Sequence, residues 1–289
     1  MILQSVVVKA VTLRQFLRNR WNFSSRLMKE LAAEKKVFVD GRSRRMDYLL
    51  KENSLVTVDL GWEKNTYEAF SREIDVLYED EGLMILNKDP LFSVHPVGGH
   101  RKDTVLNAIV YYQQRHRQNY KIRFAHRLDR DTSGALIVAK NKWMHEEISR
   151  QFRQDGVLKE YLALCHNSFS GSFVVEGKIG LSEDGIHREF RDDGKESCTQ
   201  VFTLASTDER TLFKAVPQTG RTHQIRVHLA SKGYPIVGDA LYGVKDRAPR
   251  QMLHCHRLQF RHPLTGEIQS VQAPLKQDFL DEMEVCRLL

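Results

Sequence analysis

HRLDRDTSGALIVAK, residues 126–140, joins a charged loop to a wholly apolar run. Residues 135–139 contain only apolar side chains, a pattern that predicts a strand buried on both faces of a sheet. The preceding Thr-Ser-Gly is typical of a turn, so Asp129 is expected in a loop at the edge of that strand. Such loops commonly carry reactive side chains. This segment therefore predicts both the centre of a sheet and a candidate site.

Asp129 lies between two arginines, Arg127 and Arg130. Guanidinium groups favour the ionised form of a carboxylate, so Asp129 is expected to act as a nucleophile or an electrostatic stabiliser and not as an acid. Asp131 is the alternative carboxylate, because it would share a face with Asp129 if the segment were extended. A surface cluster in which the charges only pair with each other is the other interpretation.

A second basic segment, PQTGRTHQIRVHLASKGYPIVGD, covers residues 217–239. Gly220 permits a sharp turn, and Thr222 is expected to cap a short helix. The side chains that could face a ligand are Arg221, His223 and Arg226. The segment predicts an anion site, or arginines directed at a carboxylate such as that of Asp129. A basic helix exposed to solvent is the alternative.

Tyr161 lies in a predicted strand, residues 159–165, where Lys159 and Tyr161 alternate onto one face. A tyrosine in that place can stack on a base or move a proton. The commoner role is a core tyrosine with a hydrogen-bonded hydroxyl. The spacing leaves both roles open.

The first sixty residues predict a small separate unit with two helices, capped by Thr12 and Ser24, and two short strands. Its basic side chains concentrate on and beside the second helix: Arg26, Lys29, Lys35 and Lys36. Basic side chains near a helix can bind a phosphate backbone. The alternative is a helix face that is only exposed to solvent. Residues 63–73 are polar and predict a linker on which the unit, residues 1–62, could move.

The composition is that of a globular protein, and its basic balance indicates either a polyanionic partner or a mild basicity that only serves solubility. The chain has 289 residues, a formal net charge of +7 and no apolar run near the ~20 residues that span a bilayer. The apolar N-terminus has neither a preceding basic region nor a small-residue cleavage site, so a cytoplasmic protein is expected. Four scattered cysteines predict no disulfide framework. His254 and His256 alternate on one strand face, but two ligands alone make a weak metal site.

Four segments together resemble the RluA-type pseudouridine synthases: HRLDRDTSGALIVAK, KEYLAL, TGRTHQIRVHLASKGYPIVGDALYG and LHCHRLQFRHPLTGE. They occur in the family's order, and the resemblance extends over about residues 74–280. SSRLMKELAAEKKVFVDGR, residues 24–42, resembles the alpha-L RNA-binding module of a ribosomal protein and several RNA-modifying enzymes. The implied fold is α+β: a mixed, mainly antiparallel bent sheet with flanking helices over residues 74–289, behind a small N-terminal α/β module.

The resemblance implies roles for individual residues. Asp129 matches the catalytic aspartate, and Tyr161 matches a tyrosine that lies against the target base and takes a proton from the sugar. Arg226 matches the arginine that pairs with the catalytic carboxylate, and Arg127 one that fills the gap left by an extruded nucleotide. The resemblance assigns RNA-facing support to Arg221 and His223. Residues 88–96 depart from the family's Lys-Pro-x-Gly pattern, which concerns substrate choice.

The implied activity is isomerisation of specific uridines in structured RNA, with ribosomal RNA favoured and transfer RNA second. The resemblance implies no metal and no cofactor, a monomer without a protein partner, and no membrane. One alternative is a non-catalytic RNA-binding protein of ribosome assembly. A third interpretation, a glycoside hydrolase using Asp129 and Asp131, requires two carboxylates ~5 Å or more apart across a sugar cleft.

Overall fold

The computed structural model describes residues 1–61, 63–96, 102–154, 156–244 and 246–288. The strands are β1 (Ile2–Val6), β2 (Val37–Val39), β3 (Arg42–Ser43), β4 (Leu55–Asp59), β5 (Val76–Glu79), β6 (Leu83–Lys88), β7 (Arg123–Phe124), β8 (Ser133–Ala139), β9 (Leu158–His166), β10 (Ser172–Leu181), β11 (Arg188–Phe190), β12 (Lys195–Ser206), β13 (Arg210–Pro217), β14 (Leu253–Arg261) and β15 (Ile268–Gln272). The helices are α1 (Leu13–Trp21), α2 (Ser25–Ala33), α3 (Val105–Arg115), α4 (Lys142–Arg153), α5 (Gln224–Ser231) and α6 (Gln277–Val285).

The N-terminal sixty residues form a four-stranded sheet in the order β1-β4-β2-β3, with α1 and α2 beside it. Both predicted helix caps are confirmed, because the Thr12 hydroxyl accepts from Gln15 N and the Ser24 hydroxyl accepts from Leu27 N. The sequence did not predict β1. This strand pairs antiparallel with β4, about fifty residues later in the chain. The sequence near β1 therefore does not indicate that a partner strand exists.

The larger sheet has eleven strands, and its main path runs β11-β10-β12-β13-β9-β14-β8-β6-β5. In the described part of the chain, all its pairings are antiparallel except that of β14 with β8. With four helices in the same part of the chain, this is the α+β class with a mixed, mainly antiparallel sheet that the sequence predicts.

β8 lies inside the larger sheet between β14 and β6, and all seven of its residues are buried. The predicted strand of residues 135–139 is therefore confirmed. Gly134 has φ +109, and a Cβ atom there would lie 2.3 Å from the carbonyl oxygen of Cys255. Only glycine allows β14 to approach this closely, which explains the Gly that precedes the apolar run.

α5 begins one residue later than a Thr222 cap would place it, so that prediction was wrong. His223 is the N-cap residue, with φ 56, and its side chain makes no capping hydrogen bond. The Gln224 side-chain oxygen accepts from the Thr219 hydroxyl and from Arg221 N. These bonds close the turn ahead of the helix, so its first turn is organised by Gln224 and not by a threonine hydroxyl.

The predicted linker, residues 63–73, contains neither helix nor strand. It contacts the part of the chain that forms the larger sheet and its helices. Arg123 binds both carboxylate oxygens of Glu63, and Phe70 N donates to Asn107 O. The N-terminal unit also contacts α4, where Trp143 Nε1 donates to Trp21 O at 2.7 Å. These contacts join the linker and the N-terminal unit to the rest of the chain. Trp62 and Leu289, the expected ends of the two parts, lie outside the described residues.

No helix in the described ranges is both long enough and apolar enough to cross a membrane.

Candidate active site

A cleft of about 900 Å³ opens beside the loop that precedes β8. Its walls come from residues 125–129, the C-terminal end of α4, the start of β9, and the turn between β13 and α5. The candidate site residues that the sequence predicts outside the N-terminal unit all line this cleft: Arg127, Asp129, Tyr161, Arg221, His223 and Arg226. Segments almost a hundred residues apart in sequence therefore meet in one cavity.

Asp129 lies in the cleft with 30% of its side chain exposed. Its backbone carbonyl accepts from Thr132 N, which closes a turn over residues 129–132. The Thr132 hydroxyl in turn accepts from Gln251 Nε2 at 2.7 Å. The turn thus fixes the carboxylate at the entrance of a buried strand, as the Thr-Ser-Gly pattern predicts.

Two buried cations hold the backbone of this turn. The Lys88 ammonium donates to the carbonyl oxygens of Asp89, Phe92 and Arg130, at 2.7, 2.9 and 2.9 Å. Arg250 Nη1 donates to Asp131 O at 3.1 Å, and the rest of its guanidinium binds Asp278. Burial lowers the pKa of Lys88 to about 7. The loop that carries Asp129 is therefore fixed by charge-assisted bonds to consecutive carbonyls.

Arg226 connects two carboxylates. Its Nη1 lies 3.2 Å from Asp129 Oδ2, while Nε and Nη2 bind Asp239 at 2.7 and 2.8 Å. The Asp239 side chain is 1% exposed and also accepts from the backbone N–H groups of Leu241 and Tyr242. Burial opposes ionisation of Asp239, but the bonds and charge of Arg226 outweigh it and lower the pKa of Asp239. The guanidinium is thus held in one orientation by a buried anchor.

His223 faces the same carboxylate from the N-terminus of α5. Its Nε2 lies 3.9 Å from Asp129 Oδ2, and its Nδ1 lies 2.9 Å from Tyr242 Oη. Burial, aided by the charge of Arg226, lowers the pKa of His223, although Asp129 acts in the opposite direction. The ring is therefore neutral near pH 7.

Tyr161 is buried in β9 with its side chain directed to the cleft. Cys255 of β14 is its cross-strand partner. Burial raises the pKa of Tyr161 well above its usual value, and the Cys255 thiol adds to this effect. The phenol is consequently neutral, and the residue lines the cleft. Lys159, which alternates onto the same face, also lines the cleft.

The other charged residues of the loop that carries Asp129 separate into two groups. Arg127 is exposed and lines the cleft, whereas Asp131 does not line it and lies 3.9 Å from Arg130. The geometry of two carboxylates facing one sugar cleft is thus absent from this turn, which removes the basis of the glycoside hydrolase interpretation. His126 accepts from Ile137 N and stacks on Phe152.

The basic residues of the N-terminal unit are mostly on the surface. Arg26, Lys29 and Lys35 are exposed, and Lys36 is half-buried. Arg26 pairs with Glu30 one turn later on α2, at 3.2 Å. In β14, His254 and His256 both bind the carbonyl oxygen of Ala273, and the other ring nitrogen of His254 binds the Ser133 hydroxyl.

Sequence reasoning missed four residues that organise the site: Lys88, Asp239, Tyr242 and Arg250. Asp239 and Tyr242 reach Arg226 and His223 across 13 and 19 residues. Lys88 reaches the carbonyl of Arg130 across 42 residues, and Arg250 reaches the carbonyl of Asp131 across 119. The available signal was the Gly-Asp pair at residues 238–239 that closes the second basic segment. A carboxylate just after a turn glycine, downstream of a row of arginines, is a candidate anchor for one of them.

Comparisons with known proteins agree with this geometry. The RNA pseudouridylate synthase family model matches residues 82–231. The uncharacterized RNA pseudouridine synthase YjbO of Bacillus subtilis (strain 168) is 35% identical over 245 residues, which are 83% of this chain and 87% of that protein. Ribosomal large subunit pseudouridine synthase D of Nitrosomonas europaea is 35% identical over 237 residues, covering 78% of this chain and 68% of that protein.

The solved structure of human RNA Pseudouridylate Synthase Domain Containing 1 aligns with a TM-score of 0.59 and 27% identity, covering 75% of this chain and 96% of that one. The family model and these relatives do not favour the non-catalytic alternative. The matches extend over the strand that follows Asp129 and over the helix that carries Arg226. The chain therefore belongs to the RluA-type RNA pseudouridylate synthases, the isomerases that convert uridine in RNA to pseudouridine.

Proposed function

We propose that this enzyme converts uridines in large-subunit ribosomal RNA, and that Asp129 is its catalytic carboxylate. The observation that carries the assignment is the contact of Arg226 Nη1 with Asp129 Oδ2, at 3.2 Å, inside the cleft. Asp129 is thus the cleft carboxylate in direct contact with a buried, anchored cation. The Nitrosomonas relative is a ribosomal large subunit pseudouridine synthase, which supports ribosomal over transfer RNA as the substrate.

Pseudouridine formation breaks the N1–C1′ bond of uridine, turns the base and joins C5 to C1′. The C5 hydrogen leaves as a proton and N1 gains one, so the composition of the nucleotide is unchanged. Positive charge develops on the sugar as the first bond breaks, and an ionised carboxylate next to C1′ stabilises or captures it. Asp129 has the charge and position for this step.

Arg226 acts on the reaction through the Asp129 carboxylate. Its guanidinium contacts Asp129, and Asp239 prevents the guanidinium from turning away. A carboxylate held in this way can face the developing positive charge without reorganising during the reaction. The cleft walls must then hold the nucleotide so that C1′ lies next to the Asp129 carboxylate.

Tyr161 supplies a flat surface for the target base. Stacking on an aromatic side chain contributes about 1–3 kcal/mol per base. This contact does not require an ionised phenol. As a proton acceptor, a neutral phenol is weak, and the raised pKa of Tyr161 makes the neutral form dominant. The buried ring therefore supports the stacking role more strongly than the sugar-deprotonating one.

The target base must leave the RNA stack, at a cost of a few kcal/mol. Arg127 is exposed at the cleft rim, where its planar guanidinium can fill the vacated position. Arg221 also lines the cleft, and its Nε donates to Glu196 O at 2.8 Å. Both positions suit contacts with the RNA on either side of the extruded nucleotide.

We also propose that residues 1–62 form an RNA-binding module. Exposed Arg26, Lys29 and Lys35 present positive charge on and beside α2, as a phosphate-contacting surface requires. We further propose that the enzyme is a monomer and that, with a ribosomal substrate, it acts in the cytoplasm.

The proposal is tested with ribosomal RNA that carries C5-tritiated uridine, purified from cells that lack this enzyme. Replacement of the C5 hydrogen releases tritium into water, so release reports the rejoined base. We expect release from large-subunit RNA and none from small-subunit or transfer RNA, followed by mapping of the converted position. Release only from transfer RNA would overturn the substrate assignment, and release from no RNA would overturn the activity.

A further inference from the structure

We infer that Tyr242 is a positioning residue that fixes the neutral His223 ring with its proton on Nε2, and that this N–H and Asp129 together bind the 2′-hydroxyl of the target ribose. The inference rests on the proposed function, because it concerns the same cleft and the same uridine. It gives His223 a defined role in place of general RNA-facing support.

The orientation of the Tyr242 hydroxyl follows from its neighbours. Arg188 N donates to Tyr242 Oη at 2.7 Å, which uses one lone pair of the oxygen. Among the described residues, the only other hydrogen-bond partner of that oxygen is Nδ1 of His223, at 2.9 Å. The hydroxyl proton is satisfied if it is donated to Nδ1, since a half-buried donor without a partner costs free energy.

This bond sets the tautomer of the histidine. A neutral imidazole carries one proton, so a ring whose Nδ1 accepts must carry its proton on Nε2. Tyr242 also orients the neighbouring cation, because the guanidinium carbon of Arg226 lies 5.0 Å from the centre of its ring. One tyrosine thus positions two of the groups that face Asp129.

The His223 N–H faces a narrow gap. Nε2 lies 3.9 Å from Asp129 Oδ2, which is too long for a direct hydrogen bond. A ligand atom between them must accept from the N–H and donate to the carboxylate. A hydroxyl does both, whereas a uracil carbonyl only accepts and the uracil N3–H only donates. The geometry therefore selects a sugar hydroxyl over any group of the base.

The 2′-hydroxyl is the sugar hydroxyl that fits the chemistry. It is bonded to the carbon next to C1′, so a carboxylate placed at C1′ is within reach of it. Asp129 Oδ2 receives Arg226 and the hydroxyl, while Oδ1 remains available for C1′. Through this contact, the enzyme would distinguish ribose from deoxyribose at the nucleotide it modifies.

The test uses a synthetic stem-loop that contains the mapped uridine, made with either ribose or 2′-deoxyribose at that one position. Single-turnover rates are measured for wild type and His223→Asn. Asparagine tolerates the positive φ of this position, and its amide lies near Nδ1 but does not reach Nε2. We expect wild type to convert the 2′-deoxyribose stem-loop roughly tenfold more slowly than the ribose stem-loop, as for the loss of one hydrogen bond. For His223→Asn, the two rates should differ only by the intrinsic effect of the 2′-hydroxyl on the reaction.

Tyr242→Phe tests the positioning step. Without the hydroxyl, the His223 proton is free to occupy either nitrogen, so we expect the ribose preference to shrink toward that of His223→Asn. Tyr112→Phe is the matched control, because Tyr112 is half-buried and donates to Glu79 at 2.7 Å outside the cleft. It should keep the full wild-type preference. His223→Gln, whose amide nitrogen reaches the Nε2 position, should restore part of the preference.

Each outcome decides one step. A wild-type preference retained by His223→Asn, or no preference in wild type, overturns the hydroxyl contact. A full preference in Tyr242→Phe overturns the positioning role of the tyrosine. A wild type that converts neither stem-loop contradicts the proposed function instead. Thermal unfolding of each variant establishes that the compared proteins are folded.

Discussion

Asp239 binds Arg226 through two parallel hydrogen bonds of 2.7 and 2.8 Å beneath the cleft. Both side chains are almost fully buried, and the pair leaves only Nη1 of the guanidinium directed at Asp129. The Asp129 carboxylate, which we propose to be catalytic, is therefore contacted by a cation that has a second, buried carboxylate as its anchor. Asp129, the carboxylate in the cleft, is therefore a different residue from Asp239, the buried carboxylate that orients Arg226.

Asp239→Asn should lower kcat and stability together. Removal of one charge from a buried pair typically costs about 3–5 kcal/mol of unfolding free energy, and the freed guanidinium can then rotate away from Asp129. We expect a fall in kcat of about tenfold or more, corresponding to a loss of ~1.4 kcal/mol in transition-state stabilisation. Chemical denaturation and single-turnover assays measure the two effects.

Glu63→Gln is the matched control for the Asp239 variant, because Glu63 also binds an arginine through two hydrogen bonds, but outside the cleft. Its kcat at saturating RNA should stay at the wild-type value. An Asp239→Asn enzyme with wild-type kcat would show that Arg226 needs no anchor.

Lys88 should make stability depend on pH. Burial lowers its folded-state pKa to about 7 from 10.5, so between these values the unfolded chain binds a proton that the folded chain does not. Unfolding free energy therefore rises with pH across this window, by up to about 1.4 kcal/mol per pH unit for a single group. Below pH 7 both states carry the proton, and the cost of burying the charge is fully present.

Lys88→Met removes this titration. The difference in unfolding free energy between wild type and Lys88→Met should increase steadily from pH 7 to pH 10, as measured by denaturant titration. The variant should also lose kcat, because the carbonyls of Phe92 and Arg130 lose their common donor. A pH-independent difference would contradict a buried lysine with a lowered pKa.

Tyr161 substitutions should separate stacking from proton transfer. Tyr161→Phe keeps the ring and should bind RNA as wild type does, whereas Tyr161→Leu should weaken binding by about 1–3 kcal/mol. If the hydroxyl accepts a proton in the reaction, as the family resemblance implies, Tyr161→Phe loses roughly 10²–10⁴-fold in kcat. A smaller loss restricts the tyrosine to stacking, the role that its neutral phenol favours.

The N-terminal cations should contribute to binding through phosphate contacts. In the double variant Lys29→Ser, Lys35→Ser, the slope of log Kd against log salt concentration should decrease by about 2, since each phosphate contact accounts for about 1. Lys9→Ser, Lys51→Ser is the control, because these exposed lysines lie in the same unit but away from α2. Equal slopes for the two double variants would remove the evidence for an RNA-binding surface at α2.

The elements that sequence predicted best are those with local signals. β8 follows from its apolar run, and the two N-terminal helices follow from Thr12 and Ser24, which cap them as predicted. β1 and β10 were not predicted, because β1 lies in an unremarkable apolar start and β10 is exposed at half of its ten positions. Pairing with neighbouring strands, more than local composition, makes both of them strands.

The site divides in the same way. Motif residues identify Asp129, Tyr161 and Arg226, but the anchor of Arg226 and the cations behind the loop depend on contacts across the fold. His223 was identified as RNA-facing, yet its place as N-cap and its contact with Tyr242 required the backbone geometry. Spacing in sequence indicates which groups can react, whereas the fold decides which groups hold them.

The most direct test of the central claim is tritium release by wild type, Asp129→Asn and Asp131→Asn from C5-tritiated large-subunit RNA of cells that lack the enzyme. Asparagine keeps the shape of the side chain but not its charge, and Asp131 is a matched carboxylate in the same turn that does not line the cleft. We predict release by wild type and Asp131→Asn and none by Asp129→Asn, with RNA binding retained by all three. Release by Asp129→Asn, or its loss only in Asp131→Asn, would contradict the assignment of Asp129 as the catalytic carboxylate.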